Sequence, residues 1–585
     1  MVPLYAPWFV LLAILMQLVP SSAYPITASW FRDRYSREEW AQALDSYQKF
    51  GADSIWQRAP PIIKRTEGEL SRNPNFVWCG STKSATKVTG TRCWEEARSE
   101  LSSLGLKVSG FLTYEYEEDF GKDVMLCPKY DRRLNSSRIY YRIVLPTTRP
   151  RTPCDFPQGS EVYVLFTTFS GTDSHSLLLE GAYNRSMNVY FGLPAFPVDS
   201  GGGFDTTLTD VYFAWVDRIL FEHKQRYSRL TSREISLYST LKGYYSTDEV
   251  CLAQVTPGSK KQRNLAGFYL NLYKNLGQMI RRYQKEFVLS PFIDLNLSEL
   301  NATVSDHVRG FTAIANLGVV DVIAVQEGRG AGKGCYFWDT QIDLPVKTVD
   351  PMLYEILRYR QPTISPGVTY RQAFSASNQQ VFRAFGTAHD LLVKQGVPFE
   401  FWLNVEAFEY VRDDPCLPVD PSASGMGELL ERTSKSRVDR AITVAGADVQ
   451  KIISFSWDAD YLCVTRKYNK SLASEIIADK ERPIISNCSF HSPYNLSVVV
   501  LGYNLDGETQ SFKIKWTDTS GRNRTDTLYG YYFELDYGER NDRVTSLQYV
   551  MLWDTYDWQE VRPKGHVTVQ AAGAYNDCIY SYDYS

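Results

Sequence analysis

Apolar runs bounded by turn residues alternate with amphipathic stretches along most of this chain. "ITASWF" (Ile26–Phe31) reads as a strand. It leads into "SREEWAQALDSYQKFG", where Ser36 and Glu39 stand at capping-box spacing and Gly51 follows the last turn, so a helix is predicted between them. "ADSIWQRAP" is a second strand, stopped by Pro60 and Pro61. The alternation resumes with "HSLLLEGAYNRSM" (helix), "NVYFGLPAF" (strand) and "LTDVYFAWVDRILFEHKQRY", whose Leu208, Val211, Trp215 and Ile219 share one helical face. "KGYYSTDEV", "FVLSPFID", "VVDVIAVQEG", "FEFWLNVEAF" and "VQKIISFSW" read as further strands. Amphipathic segments separate them, among them a charged helical stretch over Gly427–Ala441.

Eight strands joined by helical crossovers predict an α/β chain folded as a (β/α)8 TIM barrel. The runner-up is an open doubly wound sheet, but no G-x-G-x-x-G follows the first strand. Residues 62–172 interrupt the alternation with four cysteines and apolar runs such as "RIYYRIVL" and "EVYVLFTTF". This is too apolar for a linker and predicts a disulfide-braced insertion after strand two. From about residue 485 the period becomes two: "SFKIKWTD" places Phe512, Ile514 and Trp516 on one face and Lys513 and Lys515 on the other. A C-terminal β-sandwich over 485–585 is expected, with the barrel over 24–484.

The opening residues change the picture of where such a chain works. Phe9–Val19 is an apolar run of signal-peptide length, and Ser21-Ser22-Ala23 suits cleavage after Ala23, so residues 1–23 are expected to be a signal peptide. The n-region has no Lys or Arg, and the competing reading is a membrane anchor. Ten cysteines without a C-x-x-C pair predict disulfides, with Cys79–Cys93 and Cys127–Cys154 as local pairs. Eight N-x-S/T sequons, at Asn135, Asn184, Asn296, Asn301, Asn469, Asn487, Asn495 and Asn523, point the same way, to a secreted or lumenal glycoprotein. A net charge of −4 without a long basic run argues against nucleic acid as a partner. Six scattered histidines without H-E-x-x-H argue against a zinc site, so no metal or cofactor is expected.

In a β/α barrel the chemistry sits at the C-terminal ends of the strands. Two ends carry carboxylates where an apolar strand would avoid them: Asp248-Glu249 after strand four and Asn404-x-Glu406 on strand seven. A glutamate from each can flank a glycosidic bond, as retaining glycosidases require, with carboxyls about 5–5.5 Å apart. Asn404 shares the strand face of Glu406 and can hydrogen-bond a sugar or orient the carboxylate. The structural alternatives are Glu249 as a first-turn helix carboxylate and Glu406 as an ion-pair partner of Arg329 or Lys451. Gln326, Glu327, Trp457 and Asp458 are candidate subsite contacts. Trp30, Trp56 and Trp457 are candidate stacking platforms, with core packing as the alternative. "GRGAGKGC" (Gly328–Cys335) has the wrong spacing for a phosphate loop and is expected to be a flexible substrate loop tethered by a Cys335 disulfide.

The ordered segments "ITASWFRDRYSREEWAQALDSYQKFGADSIWQ", "MNVYFGLP", "GYYSTDEV", "VLSPFI", "DVIAVQEGRG", "FWLNVEAFE" and "KIISFSWD" resemble barrel proteins of unknown function classed as glycoside-hydrolase-like. More distantly, they resemble the large retaining glycosidase clan with glutamates on strands four and seven. The likeness spans most of Ile26–Asp458 apart from the insertion. It implies Glu249 as acid/base and Glu406 as nucleophile. In that clan Asn usually precedes the strand-four Glu; here Asp248 stands there, and an Asp accepts where an Asn donates. The expected activity is a secreted glycoside hydrolase acting with retention on a carbohydrate. The alternative is a catalytically inactive carbohydrate-binding or extracellular matrix protein on the same scaffold.

Overall fold

The computed structural model describes residues 24–73, 78–84, 87–114, 126–135, 139–148, 154–169, 172–199, 202–229, 236–255, 260–409, 431–445, 448–490, 497–505, 510–532, 547–553 and 563–582. The expected signal peptide, the Asn495 sequon and the start of the helical stretch at Gly427 lie outside them.

Eight parallel strands close into a barrel. They are β1 (Ile26–Phe31), β2 (Ser54–Gln57), β3 (Asn188–Leu193), β4 (Leu241–Ser246), β5 (Glu286–Leu289), β6 (Val322–Gln326), β7 (Glu400–Glu406) and β8 (Lys451–Phe455). Each pairs with its neighbours in the chain, and β8 pairs back onto β1, the TIM-barrel order. Parallel strands covered on both faces need apolar residues on both, and β7 shows how this chain meets that demand. Phe401, Leu403 and Val405 face outward and are fully buried; the Phe401 ring lies 5.2 Å from Phe311 and 5.7 Å from Phe382, on helices Val304–Ala315 and Asn378–Lys394. Burying such a ring stabilises the fold by roughly 2–3 kcal/mol. The alternate residues, Trp402, Asn404 and Glu406, face the barrel interior.

That interior has an apolar floor: Ala28, Trp30, Trp56, Tyr190, Tyr245, Val288, Val322, Ala324, Trp402 and Ile453 form one buried cluster. Two residues further along the same strand faces the lining turns polar, with Ser290 after β5, Gln326 on β6 and Asn404 on β7.

The first helix, Arg37–Phe50, is capped by Ser36 Oγ, which accepts from Glu39 N (3.1 Å), and ends at Gly51 in the left-handed region (φ 104°). The expected capping box is not reciprocal, because Glu39 reaches one residue further back and accepts from Tyr35 N (2.9 Å). Between β6 and β7 the sequence pattern predicted no element before the helix at Asn378. The structure has a helix at Pro351–Arg360, with Asp350 Oδ1 accepting from Leu353 N (3.0 Å) and Pro351 in the first turn.

The insertion is a small α+β unit. Its five strands run in the order Ile63–Arg65, Lys107–Tyr114, Glu161–Phe169, Ile139–Pro146, Arg132–Asn135. Helix Cys93–Ser103 packs on them through Trp94, Ala97 and Leu101, in a core separate from the barrel's. Cys127–Cys154 is a disulfide, as the spacing predicted. Cys93 is also disulfide-bonded, while the side chain of Cys79 lies outside the described residues.

The C-terminal seven strands are antiparallel. Strand Asn523–Tyr532 pairs along Asn523–Tyr529 with Ser511–Asp518 and along Gly530–Tyr532 with Leu547–Trp553, so it passes from one sheet to the other. The two end strands of the order, Ile484–Phe490 and Cys578–Tyr582, are joined by the disulfide Cys488–Cys578.

Two expectations about covalent features need correction. The cysteines are not all paired: Cys251 and Cys335 are free and buried. Asn296 is no glycan acceptor in the folded chain, because it is 2% exposed and its amide is taken up by Gly332 O, Ser298 N and Ser298 Oγ.

Candidate active site

The polar top of the barrel interior is one connected set of side chains. Gln326 Nε2 donates to Ser290 O (2.8 Å), Asn404 Nδ2 donates to Ser290 Oγ (3.0 Å), and Ser290 Oγ donates to Ala324 O (3.0 Å). Gln326 and Asn404 are register partners on adjacent strands. Asn404 Oδ1 is buried and accepts no hydrogen bond among the described residues. The Gln326 amide also approaches Glu249, at the end of β4, and favours its charged form. Two residues beyond Asn404, Glu406 closes the same face of β7. The structure therefore brings Glu249, Gln326, Asn404 and Glu406 to one mouth, with Ser290 joining Gln326 to Asn404.

The two glutamates sit in different surroundings. Glu249 is open to solvent at its accessible surface, yet enough protein stands around its carboxyl to raise its pKa; the Gln326 amide and the charges of Lys333 and Arg58 pull it back. Glu406 is 4% exposed, and burial first, then the neighbouring Glu327 carboxylate, push it up to about 8. Its Oε2 accepts from Ala331 N (3.0 Å). Glu327, also fully buried, has more support: Asn378 Nδ2 (2.9 Å), Arg329 N (3.3 Å) and the Arg329 guanidinium (3.5 Å to Oε1). Two carboxylates this close in low dielectric do not both ionise at neutral pH, and these partners place the shared proton on Glu406. The resemblance implied an ionised nucleophile at Glu406. Burial instead raises that carboxyl, and the cations of the ion-pair alternative are taken up elsewhere: Lys451 pairs with Asp53, and Arg329 with Glu327 and Glu409. Glu249 precedes helix Lys260–Arg282 by more than two turns, so it is not that helix's first-turn carboxylate.

The glycine-rich segment is neither flexible nor tethered by a disulfide. Gly328, Arg329, Gly330, Ala331 and Gly332 are buried. A Cβ on Gly330 would stand 2.1 Å from Phe408 O, and one on Gly334 2.1 Å from Glu327 O, so the glycines let the loop pass over the end of β7 in contact with its backbone. Its tether is Asn378, whose Oδ1 accepts from Cys335 N (2.9 Å) and whose Nδ2 donates to Glu327 O (2.7 Å). Asn378→Leu should therefore cost about 2–4 kcal/mol, read as a lowered denaturant midpoint, because three buried polar groups lose their partner at once. A change within error would mean the loop is held by its glycine packing alone.

The remaining candidates spread out. Asp248 turns away from Glu249: its carboxylate accepts from Phe196 N (3.0 and 3.1 Å), and burial raises it to about 7. Asp458 braces the β1 end, accepting from Arg32 N (2.7 Å) and pairing with Arg34 (2.5 Å). Trp30 belongs to the barrel floor, 4.4 Å from Trp56. Trp457 is fully buried between Tyr47 (4.7 Å) and Phe50 (5.3 Å), and Trp56 is fully buried too, so neither offers a face to a sugar. Sequence reasoning missed Ser290, Lys333, Arg58 and Asp460. Lys333 was legible only as a charge among glycines, and Arg58 as the residue after β2. Asp460, raised by burial to about 7, accepts from Ser456 N (2.6 Å). Among the described residues no three His, Cys, Asp or Glu side chains gather as a metal-ligand set, and no helix is long and apolar enough to cross a membrane.

Comparison with known proteins finds one family model and several distant solved structures. A family model described as "Domain of unknown function (DUF8405)" matches residues 65–169, within the insertion. No curated protein sequence matches the chain. Among solved structures, alpha-galactosidase I from Mortierella vinacea is 9% identical over 92% of this chain and 98% of its own, with a TM-score of 0.30. AbfB, a family 51 alpha-L-arabinofuranosidase from Bifidobacterium longum, is 8% identical over 91% and 97%, with a TM-score of 0.31. A putative alpha-galactosidase from Bacteroides fragilis is 7% identical over 91% and 80%, with a TM-score of 0.30. The barrel assignment rests on the strand pairing described above and takes nothing from these likenesses.

Proposed function

We propose that the protein is a secreted glycoside hydrolase working at the C-terminal mouth of its barrel. The observation that carries this reading is the pair of strand-end glutamates at one mouth, Glu406 buried beneath the Ala331 loop and Glu249 exposed. A buried carboxylic acid and an open carboxylate in one cleft are what acid-assisted glycoside cleavage needs. In this reading Glu406 holds the proton destined for the leaving oxygen. Glu249, steadied by Gln326, Lys333 and Arg58, attacks the sugar carbon or activates water. These roles reverse those implied by the resemblance. Asn404 Oδ1 supplies an acceptor for a sugar hydroxyl. Disulfides and the sequons outside Asn296 support passage through the secretory pathway.

The test is digestion of a glycan panel by the purified protein beside Glu249→Gln. Sugar release by the wild type alone supports the reading and names the substrate. One observation favours a second reading, a carbohydrate-binding protein without activity: Ala331 and its loop already cover Glu406. Equal glycan binding by both proteins with no sugar released would establish that alternative.

A further inference from the structure

The loop after β6 covers one oxygen of Glu406 and leaves the other. Ala331 N donates to Oε2 (3.0 Å), and a Cβ on Gly330 would stand 3.0 Å from the same oxygen. Among the described residues nothing donates to Oε1. A protonated carboxyl has one hydroxyl oxygen and one oxygen that only accepts. The oxygen that takes the Ala331 N–H is the acceptor, so the proton sits on Oε1.

Ala331 is in turn held from outside its loop. Arg360 ends the helix Pro351–Arg360, and its Nη1 donates to Ala331 O (2.5 Å). Its Nε and Nη2 make a two-pronged pair with the Glu299 carboxylate (2.6 Å each), in the segment after β5. The stem of Arg360 lies against the loop as well, since a Cβ on Gly332 would stand 3.3 Å from Arg360 Cδ. Gly328 (φ 71°) and Gly332 (φ 70°) are both left-handed and bracket Arg329–Ala331, so the backbone of Ala331 pivots easily unless something outside the loop fixes it. A part-exposed ion pair adds little stability by itself. A planar guanidinium fixed by two bonds on one side and presenting a third N–H to a carbonyl instead sets where that carbonyl stands.

We infer that Arg360 is a positioning residue for the acid of this site: by holding Ala331 O it keeps the Ala331 N–H on Glu406 Oε2 and so keeps the transferable proton on Oε1. The inference rests on the hydrolase reading above. In the reaction the proton leaves Oε1 for the glycosidic oxygen as the bond from that oxygen to the sugar carbon breaks. The carbon passes to Glu249 or water, and Glu406 is left as a carboxylate whose charge the Ala331 N–H helps to carry. The charged groups that bear on Glu406 are Glu327 and Arg329 at the end of β6 and Lys333 further along the loop. Arg360 acts through the Ala331 backbone.

The test compares full-length wild type with Arg360→Gln, Arg360→Lys and Glu299→Gln, each with its melting temperature. The first readout needs no substrate: the titration of the Glu406 carboxyl by carbon-13 NMR, its resonance identified by its loss in Glu406→Gln. A carboxyl deprived of an N–H donor ionises less readily, so in Arg360→Gln it should titrate at higher pH, the direction opposite to Glu327→Gln. The second readout is turnover of the glycan that the wild type cleaves. In Arg360→Gln kcat should fall by about 10–10²-fold with KM unchanged, and the alkaline limb of the profile should move to higher pH. Arg360→Lys keeps a donor for Ala331 O and should restore part of the rate. Glu299→Gln, which leaves the Arg360 bond to Ala331 in place, should shift both readouts less and in the same direction, and serves should Arg360→Gln not fold. An unmoved Glu406 titration in the folded variants, or a loss confined to KM, overturns the proposal. The failures separate: a wild type that cleaves while Arg360→Gln leaves the titration and kcat unchanged keeps the hydrolase and sinks the role of Arg360. A shifted titration in a protein that cleaves nothing keeps the hold of Arg360 on Glu406 and sinks the hydrolase.

Discussion

Glu406→Gln should abolish turnover and leave the fold at least as stable as before. The second half of that expectation follows from the protonation state. Burial and the Glu327 carboxylate raise Glu406 to about 8, so at neutral pH it is already a neutral acid. Glutamine has the same size, is also neutral, and keeps an oxygen for the Ala331 N–H. Nothing buried is orphaned and no cavity forms, unlike Glu406→Ala, which would strand that N–H at a cost of about 1–3 kcal/mol. Above pH 8 the variant should exceed the wild type, because the wild type must then ionise a second carboxyl beside Glu327. Turnover, however, needs a proton that an amide cannot give, and should fall by about 10²–10⁴. Glu327→Gln supplies the control. It removes the charge that raises Glu406, so the alkaline limb of the pH–rate profile, where the acid is lost, should move to lower pH. Wild-type rates in Glu406→Gln would remove Glu406 from the chemistry and leave it a structural acid of the loop.

Much of this architecture was legible in residue patterns. Eight apolar runs separated by amphipathic stretches were enough for the barrel, because parallel strands buried on both faces leave that record. The oddity of "FWLNVEAFEY" was legible as well: period-two alternation puts Asn404 and Glu406 on the face of Trp402, which the structure shows to be the barrel interior. What the sequence could not reveal was depth. Glu406 and Glu249 look alike as strand-end carboxylates, and only the path of the Gly328–Gly334 loop makes one buried and the other open. That path depends on contacts between residues far apart in the chain, Ala331 with Glu406 and Cys335 with Asn378. The same distance effect misled the reading of the cysteines. An even count suggested complete pairing, while Cys335 ends in a buried site where its thiol donates to Ala376 O (3.3 Å). Trp457 illustrates the remaining difficulty: an aromatic residue at a strand end can stack on ligand or on core, and which one depends on Tyr47 and Phe50 of the first helix.

The protein should be most stable in mildly acidic solution and lose stability as the pH rises from about 5 to 8. Four carboxyls carry the argument. Glu406 is raised to about 8, Asp248 and Asp460 to about 7, and Asp294 to about 6, each mainly by burial. In the unfolded chain such groups titrate near pH 4. Between the two values the folded protein holds protons that the unfolded chain has released, so this stability is fully present below about pH 4 and disappears as pH climbs through the folded values. Asp460, which is 3% exposed, contributes on the order of 4 kcal/mol by this route. Other groups set the acid limit. Asp350 is held low because Arg437, Arg440 and Arg329 outweigh its burial, and Glu100 is held low by its hydrogen bond to Arg142. Their contribution is present above the unfolded carboxylate range and fades as pH falls through it. His307, lowered by burial, accepts from Asp294 N (3.1 Å) at Nε2 as a neutral ring, so its contribution is lost as pH falls from its unfolded value near 6.5 toward its folded one. The balance places the optimum at about pH 4–5, just above the unfolded carboxylate range, with a melting temperature lower by about 5–10 °C at pH 8.5. Asp460→Asn should flatten the alkaline limb, because an amide still accepts from Ser456 N and never ionises. A melting temperature that rises steadily from pH 5 to 8.5 would mean these carboxyls are ionised in the folded protein, and the protonated acid assigned to Glu406 would fall with them.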